Sequence, residues 1–163
     1  MAFEISDDYT LEVLFTAAEC EEIKGYTSGD WFNAVLRSSG DEGLVEHPEW
    51  CNGEFCEVDL TQLNTMLNSK NLPSVIWARL QRYNVGEYFA NHSDCTLDEM
   101  NTYKTIAIWL SDPSQYAGGD YVLRDTALDR SQGNVLQKQS WLRNSIANVD
   151  AGEVYYLIAV YTA

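Results

Sequence analysis

The chain has 163 residues, 45% of them apolar and 12% aromatic, and its 25 acidic against 10 basic side chains give a net charge of −15. This composition excludes a disordered chain, and the length is that of one domain, residues 1–163, with a sizeable core. The negative charge argues against binding to nucleic acid, and no apolar run approaches the ~18 residues that a membrane helix needs.

Residues 1–73 carry two helix signals. Thr16 and Glu19 have the spacing of a capping box, which predicts a short helix after Thr16. Asp59 can cap a second helix, which ends before Pro73 because proline cannot continue the hydrogen-bond ladder. The apolar residues of this second helix fall on one face: Leu60, Leu63, Met66 and Leu67. We therefore interpret residues 1–73 as a helical N-terminal cover.

From residue 74 the sequence changes to short apolar runs separated by turn residues such as Gly118-Gly119. The run 154–161 is almost continuously apolar, which predicts a central strand covered on both sides. The predicted strands are 75–83, 105–110, 121–123, 134–136 and 154–161. Residues 74–163 are thus expected to form a β sandwich or barrel with the helices packed on one face.

The segment 82–94 contains the most unusual cluster of side chains. His92 and Asp94 are two residues apart, so on an extended strand they point the same way and can hold one cation. An imidazole and a carboxylate with open positions suit non-haem iron(II) when a second imidazole completes the triad. A bare His-x-Asp is equally what a surface histidine beside an acid looks like.

A longer signature surrounds this pair. It consists of Tyr83, Gly86, Phe89, His92 and Asp94. This order and spacing resemble the prolyl-4-hydroxylase-like iron(II)/2-oxoglutarate dioxygenases, and the segments 13–23, 104–113 and 117–123 are similar to further parts of that family. The resemblance implies a mainly β fold with flanking helices (α+β), built on a double-stranded β-helix (jelly-roll, cupin-like) core. It also implies Fe(II) and 2-oxoglutarate as cofactors, His92 and Asp94 as metal ligands, and Tyr83 as a cosubstrate contact.

The last third of the chain departs from the family's pattern, in register with Gly133, Ser140 and Gly152. Asn144 stands where the family has its distal histidine, and Val154 stands where a basic residue pairs with the far carboxylate of 2-oxoglutarate. Lys138 and Gln139 replace a Phe-Pro pair. An amide oxygen is a poorer iron ligand than imidazole, and valine cannot anchor a carboxylate. The resemblance therefore implies a degenerate member of the family.

Few residues could substitute for the missing groups. His47 is the only other histidine of the chain, and it lies on a predicted loop. Lys104 or Arg124 could reach the site from a neighbouring strand. Arg143 is adjacent to Asn144 on a strand, so its side chain should point to the opposite face. Tyr83 has the alternative role of a core aromatic with a solvated hydroxyl.

The cysteines are Cys20, Cys51, Cys56 and Cys95. The spacing of His47, Cys51 and Cys56 resembles a zinc site only loosely, because no tight Cys-x2-Cys pair accompanies it. The acidic start of the chain is unlike a secretory signal, so we expect a cytoplasmic protein. Reduced thiols are then favoured over a Cys51–Cys56 disulfide.

Three functions fit these features. The first is a protein with the dioxygenase fold and weak or lost catalysis, which binds a protein partner or assembles with itself, including as part of a virus particle. The second is an active hydroxylase of a peptidyl or amino-acid substrate, with iron on His92, Asp94 and either Asn144 or water. The third is a metal-free domain in which His92 and Asp94 only hydrogen-bond each other. The two missing groups favour the first.

Overall fold

The computed structural model describes residues 3–5, 8–40, 43–95, 97–99 and 101–163, and for 3–5, 37–40, 43–44 and 97 only the backbone. The acidic start considered above lies partly outside these residues. Over the described ranges the helices are α1 (Ala17–Lys24), α2 (Leu60–Ser69) and two 3-10 turns, Leu97–Glu99 and Pro113–Gln115. The strands are β1 (Phe3–Ile5), β2 (Tyr9–Val13), β3 (Phe32–Asn33), β4 (Leu36–Gly40), β5 (Gly43–His47), β6 (Glu54–Glu57), β7 (Trp77–Tyr83), β8 (Phe89–His92), β9 (Tyr103–Trp109), β10 (Tyr116–Gly118), β11 (Tyr121–Leu123), β12 (Thr126–Ala127), β13 (Asn134–Gln139), β14 (Asn144–Ile146), β15 (Val149–Gly152) and β16 (Val154–Thr162).

Two antiparallel sheets form the body of the protein. The large sheet has the order β1-β2-β13-β9-β16-β7-β6-β3, and the small sheet has the order β12-β11-β14-β8. From β7 onward the chain passes back and forth between the two sheets, so that β7, β16, β9 and β13 are neighbours in one and β8, β14, β11 and β12 in the other. This interleaving is the double-stranded β-helix, and it confirms the predicted fold class.

The large sheet is covered on both faces. Its inner face, with Ala107 and Trp109, packs against the small sheet, whereas its outer face, with Ile106 and Ile108, packs against α1 and α2. This alternation follows from the period of two in strand side chains. β16 lies between β9 and β7, which confirms the central position predicted from its apolar run.

Both helices begin as predicted. Thr16 Oγ1 accepts a hydrogen bond from the Glu19 amide at 3.1 Å, and the Glu19 carboxylate accepts one from the Thr16 amide at 2.9 Å. Asp59 caps α2 through the amide of Gln62. Among the described residues, no helix has the length and apolar character needed to cross a membrane.

The interpretation of residues 1–73 as helical is too narrow, because the described part of this segment also holds β1 to β6. β2 pairs with β13, and β6 pairs with β7, so both lengthen the large sheet. These strands have three to five residues in most cases, and β2 shows its alternation only over Tyr9–Val13. So short a pattern becomes a strand through pairing with a neighbour, which the local sequence does not reveal.

Gly133, at the turn before β13, provides a test of the backbone geometry. Its φ is +87°, and a Cβ added there would overlap the carbonyl oxygen of Phe15. We expect Gly133→Ala to lower the free energy of unfolding by about 3 kcal/mol or more, since left-handed strain adds to the clash. Gly29 is the matched control, because its φ is +116° but no atom lies within 4 Å of such a Cβ. Gly29→Ala should cost only the strain, and equal losses in urea denaturation would contradict this reading.

Candidate functional site

The predicted metal positions meet where β8 and β14 pair. His92 and Asn144 are direct partners across these strands, and Asp94 follows β8 with its amide bonded to the Ser140 carbonyl at 2.9 Å. His92 Nε2 lies 3.3 Å from Asp94 Oδ1, and Asn144 Nδ2 lies 3.4 Å from the same oxygen. The structure thus brings together the three residues that the sequence pattern aligned.

A fourth residue, Lys138, occupies the centre of this group. Its Nζ lies 2.7 Å from Asp94 Oδ2, and the side chains of Lys138 and Asp94 are 0% and 11% exposed. The ammonium also donates to the Leu142 carbonyl at 3.2 Å and the Gln139 carbonyl at 3.4 Å. All three of these partners are oxygens, as a buried cation requires.

The Asp94 carboxylate is saturated with donors. Oδ2 receives Lys138 and also the hydroxyl of Thr105 at 3.0 Å, whereas Oδ1 faces His92 and Asn144. Burial alone raises the pKa of Asp94, but the charge of Lys138, with the hydrogen bond and charge of His92, outweighs it and holds the pKa well below its usual range. Asp94 is therefore an ionised carboxylate inside the protein.

His92 keeps an orientation that suits a metal ligand. Its Nδ1 lies 2.7 Å from the Ala90 carbonyl oxygen, and its ring stacks on Phe89 at 3.7 Å between centroids. A nitrogen so close to a carbonyl carries the proton. This is the bond that fixes ligating histidines with Nε2 towards the metal.

The remaining residues do not fit an iron(II) centre. The Asn144 oxygen accepts from the Tyr121 hydroxyl at 3.0 Å, so the amide presents its nitrogen, which is no ligand, to the carboxylate. The Lys138 ammonium already supplies positive charge at Asp94, and a divalent ion within a few ångströms would be repelled by it. Among the described residues no group of three or more His, Cys, Asp or Glu could hold a metal.

The position of the cosubstrate anchor is closed by packing. Val154 is 1% exposed and lies opposite Tyr83 across β16 and β7. Tyr83 is fully buried, and its hydroxyl donates to Gln81 Oε1 at 2.7 Å. Beside them the rings of Trp109, Tyr121 and Tyr156 are in mutual contact, with centroids 4.9 to 5.9 Å apart. These residues form an apolar core and do not fit a second carboxylate of 2-oxoglutarate.

The substitutes considered from the sequence lie elsewhere. His47 stacks on Trp50 and faces the Glu49 carboxylate at 2.7 Å. Arg124 pairs with Asp8, and Arg143 donates to a backbone carbonyl of β8. Lys104 lies on β9 next to Thr105, on the opposite face. The cation at the site is Lys138, which shares the inward face of β13 with Asn134 and Leu136.

Two hollows adjoin the site. A cavity of about 200 Å³ lies between the sheets, with His92 and Asp94 at one end and Arg79 and Gln81 also in its wall. It shares His92 with an open cleft of about 780 Å³ that Trp50 borders. Space for a ligand is therefore present beside the ion pair.

The four cysteines are unpaired, as expected for reduced thiols. Cys51 and Cys56 are buried, and burial raises the pKa of Cys51 to about 11. The Cys56 thiol donates to the Gly29 carbonyl. The Cys51 and Cys56 thiols are therefore structural, because a protonated buried thiol is a poor nucleophile and a poor metal ligand.

The Lys138–Asp94 pair yields a stability prediction. Lys138→Met should lower the free energy of unfolding by about 3–5 kcal/mol, because it leaves a buried carboxylate without its partner. Adding Asp94→Asn should recover much of that loss, since the charge that needed a partner is gone. Arg124→Met, at the exposed pair with Asp8, is the control and should cost under about 1 kcal/mol. Additive losses in a double-mutant cycle by urea denaturation would show that Lys138 and Asp94 do not interact.

Comparison with known proteins places this fold. No protein-family model matches the chain. A 2OG-Fe(II) oxygenase family oxidoreductase from Burkholderia pseudomallei has a TM-score of 0.63 at 13% identity, covering 95% of this chain and 85% of its own. A prolyl-4-hydroxylase from Pseudomonas putida has 0.60 at 12%, with 95% and 91% covered. HygX from Streptomyces hygroscopicus, with nickel and 2-oxoglutarate bound, has 0.63 at 9%, with 95% and 82% covered. The fold implied by the sequence resemblance is thereby confirmed, and the chain has the fold of the 2-oxoglutarate/iron(II) oxygenases.

Proposed function

We propose that this chain is a binding or assembly protein that retains the oxygenase fold without oxygenase turnover. The observation that carries the proposal is the buried Lys138 ammonium, 2.7 Å from the Asp94 carboxylate. An oxygenase needs that carboxylate for its metal. Here an internal cation takes the same charge-balancing role.

The energetics of this pair support the proposal. A metal held by His92 would bind Asp94 through Oδ1, within a few ångströms of the ammonium on Oδ2. The Lys138 side chain has no exposed surface, so no solvated rotamer is available without local opening. Metal binding would therefore have to overcome the repulsion of a buried cation that cannot move away.

The second support comes from the cosubstrate side. 2-Oxoglutarate has two carboxylates, and the family's basic anchor is replaced by Val154 inside a packed core. Among the described residues of the cavity wall, Arg79 supplies the guanidinium that could replace this anchor. Its Nε already lies 3.2 Å from Glu57 Oε1. A doubly charged cosubstrate thus lacks both its metal and its second anchor.

The role in binding a protein partner, or another copy of the chain, is supported by exposed apolar side chains. Trp77 and Phe32 are 37% and 41% exposed and flank the Arg79 guanidinium, 5.0 and 5.6 Å from their ring centroids. Exposed aromatics around an arginine are typical of interface centres.

An active hydroxylase is the second candidate, and the orientation of His92 favours it. The Nδ1 contact with Ala90 leaves Nε2 on the side of Asp94, as a metal ligand would be arranged. This candidate requires a metal to bind Asp94 Oδ1 beside the Lys138 ammonium on Oδ2. The two candidates therefore differ in whether the wild-type chain binds metal.

The first test is spectroscopic. With iron(II) and 2-oxoglutarate added anaerobically, we expect no metal-to-cosubstrate charge-transfer band, and after admission of oxygen no succinate above the protein-free level. The physical reason is the Lys138 ammonium at the ligand carboxylate and the missing anchor at Val154. A band accompanied by succinate would overturn the proposal in favour of the hydroxylase.

The second test converts the site. In Lys138→Met/Asn144→His the carboxylate loses its internal cation and gains an imidazole, so manganese(II) should raise the melting temperature by several degrees. At a manganese(II) concentration of 100 times Kd, binding raises the free energy of unfolding by about 2.7 kcal/mol. Lys138→Met/Asn91→His is the matched control, because Asn91 is the exposed neighbour of His92 and its side chain points away from the site. The wild type should not respond, and a manganese-dependent shift in the wild type would contradict the proposal.

A further inference from the structure

The cavity between the sheets has apolar walls and few polar atoms. Its side walls include Phe55, Tyr121, Ile146 and Ile158, and its volume is about 200 Å³. Such a space suits a small apolar group together with one or two polar atoms. The polar groups in the wall therefore decide which ligand it takes.

Arg79, on the inner face of β7, directs donors to this space. Its Nε donates to Glu57 Oε1 at 3.2 Å, whereas neither Nη1 nor Nη2 has a hydrogen-bond partner among the described residues. The guanidinium is held by the rings of Phe32, Phe55 and Trp77, which lie 5.0 to 5.6 Å from its Cζ. The Arg79 side chain is 30% exposed, so these two nitrogens are hydrated and can exchange water for a bidentate carboxylate.

Gln81, two residues further on β7, is an independent sign of a ligand. It is 5% exposed and borders the cavity. Its Oε1 is occupied by the Tyr83 hydroxyl, and its Nε2 has no hydrogen-bond partner in the described part of the chain. This amide nitrogen faces the cavity, where a ligand or water can accept its hydrogen bond.

The charges at the opposite end of the cavity are already balanced. Asp94 is matched by Lys138, so it does not act as a free negative charge against an incoming anion. Glu57 opposes Arg79, but its side chain is 51% exposed and its charge is screened by water. Within the described wall, the donors open to an incoming anion are therefore those of Arg79 and Gln81 on β7.

We infer that this cavity binds a small monocarboxylate with an apolar body, its carboxylate on Arg79 and Gln81 and its body against Phe55, Tyr121 and Ile158. This rests on the proposed function, in that the metal end of the cavity is closed by Lys138. The site differs from the Val154 position, which is packed. A single carboxylate is specified, because Arg79 supplies the guanidinium of the described wall and the Lys138 ammonium near the far end is already paired with Asp94.

The probe is benzoate, with benzamide as its neutral counterpart of similar shape, titrated by calorimetry in the presence of EDTA. Benzoate should bind at least tenfold more tightly than benzamide, and Arg79→Leu should weaken benzoate at least tenfold, the size expected for a charged hydrogen bond. Gln81→Leu should weaken it about threefold to tenfold. Arg79→Lys, which keeps the charge but loses the fork, should fall between wild type and Arg79→Leu.

Arg124→Leu is the matched control, because it removes an arginine from another ion pair, with Asp8 outside the cavity, and should leave benzoate affinity unchanged. Thermal melts of each variant confirm that the fold persists. A Kd above about 10 mM for benzoate, equal binding of benzamide, or an unchanged affinity in Arg79→Leu would overturn the inference. If benzoate binds only when manganese(II) replaces EDTA, the proposed function fails as well. If metal is not bound and benzoate is not bound, only this inference fails.

Discussion

The ion pair between Asp94 and Lys138 is the constraint on which the rest of the site depends. The fold sets a carboxylate just beyond β8, where only 11% of its side chain is exposed. An ionised group in such a place needs an opposite charge, and a metal or an ammonium can provide it. Once the ammonium is present, a second imidazole has no ion to bind. An amide at position 144 is the better neighbour, because its nitrogen donates to the carboxylate while its oxygen receives the Tyr121 hydroxyl.

The same logic extends to the interior beyond the pair. A cation at position 154 would be buried without a dicarboxylate to meet it, so a valine that packs against the β7 tyrosine is the stable choice. The three rings of Trp109, Tyr121 and Tyr156 then fill the space between the sheets. Tyr121 joins the two regions, since it belongs to this cluster and also holds the Asn144 amide. The Lys138–Asp94 pair and the packing around Val154 are therefore parts of one arrangement of side chains.

Much of this could be predicted from the sequence, and the gaps have physical causes. The apolar runs located the core strands, and the spacing from Gly133 placed Asn144 beside His92, where β14 pairs with β8. The family pattern aligns Lys138 with a Phe-Pro position but does not reveal its role, because the apolar run predicts a strand that ends at 136. In fact β13 continues to Gln139, and its period of two turns Lys138 inward. A lysine is usually taken to reach solvent, and only the carboxylate from a distant segment makes burial favourable. The strands before residue 58 escaped prediction because pairing, not local pattern, determines them.

Similarity at 9–13% identity establishes the fold, so function must be argued from the atoms of the site. In an oxygenase of this fold the strongest recognition element is the metal. Here the charge at that end is neutralised within the chain, and the donors that lack partners belong to Arg79 and Gln81 on β7. The proposed recognition site therefore lies away from His92, towards the sheet edge where Phe32 and Trp77 are exposed around Arg79. At that end a ligand meets a guanidinium together with apolar side chains, so the affinity for it should depend on one carboxylate and the apolar group behind it.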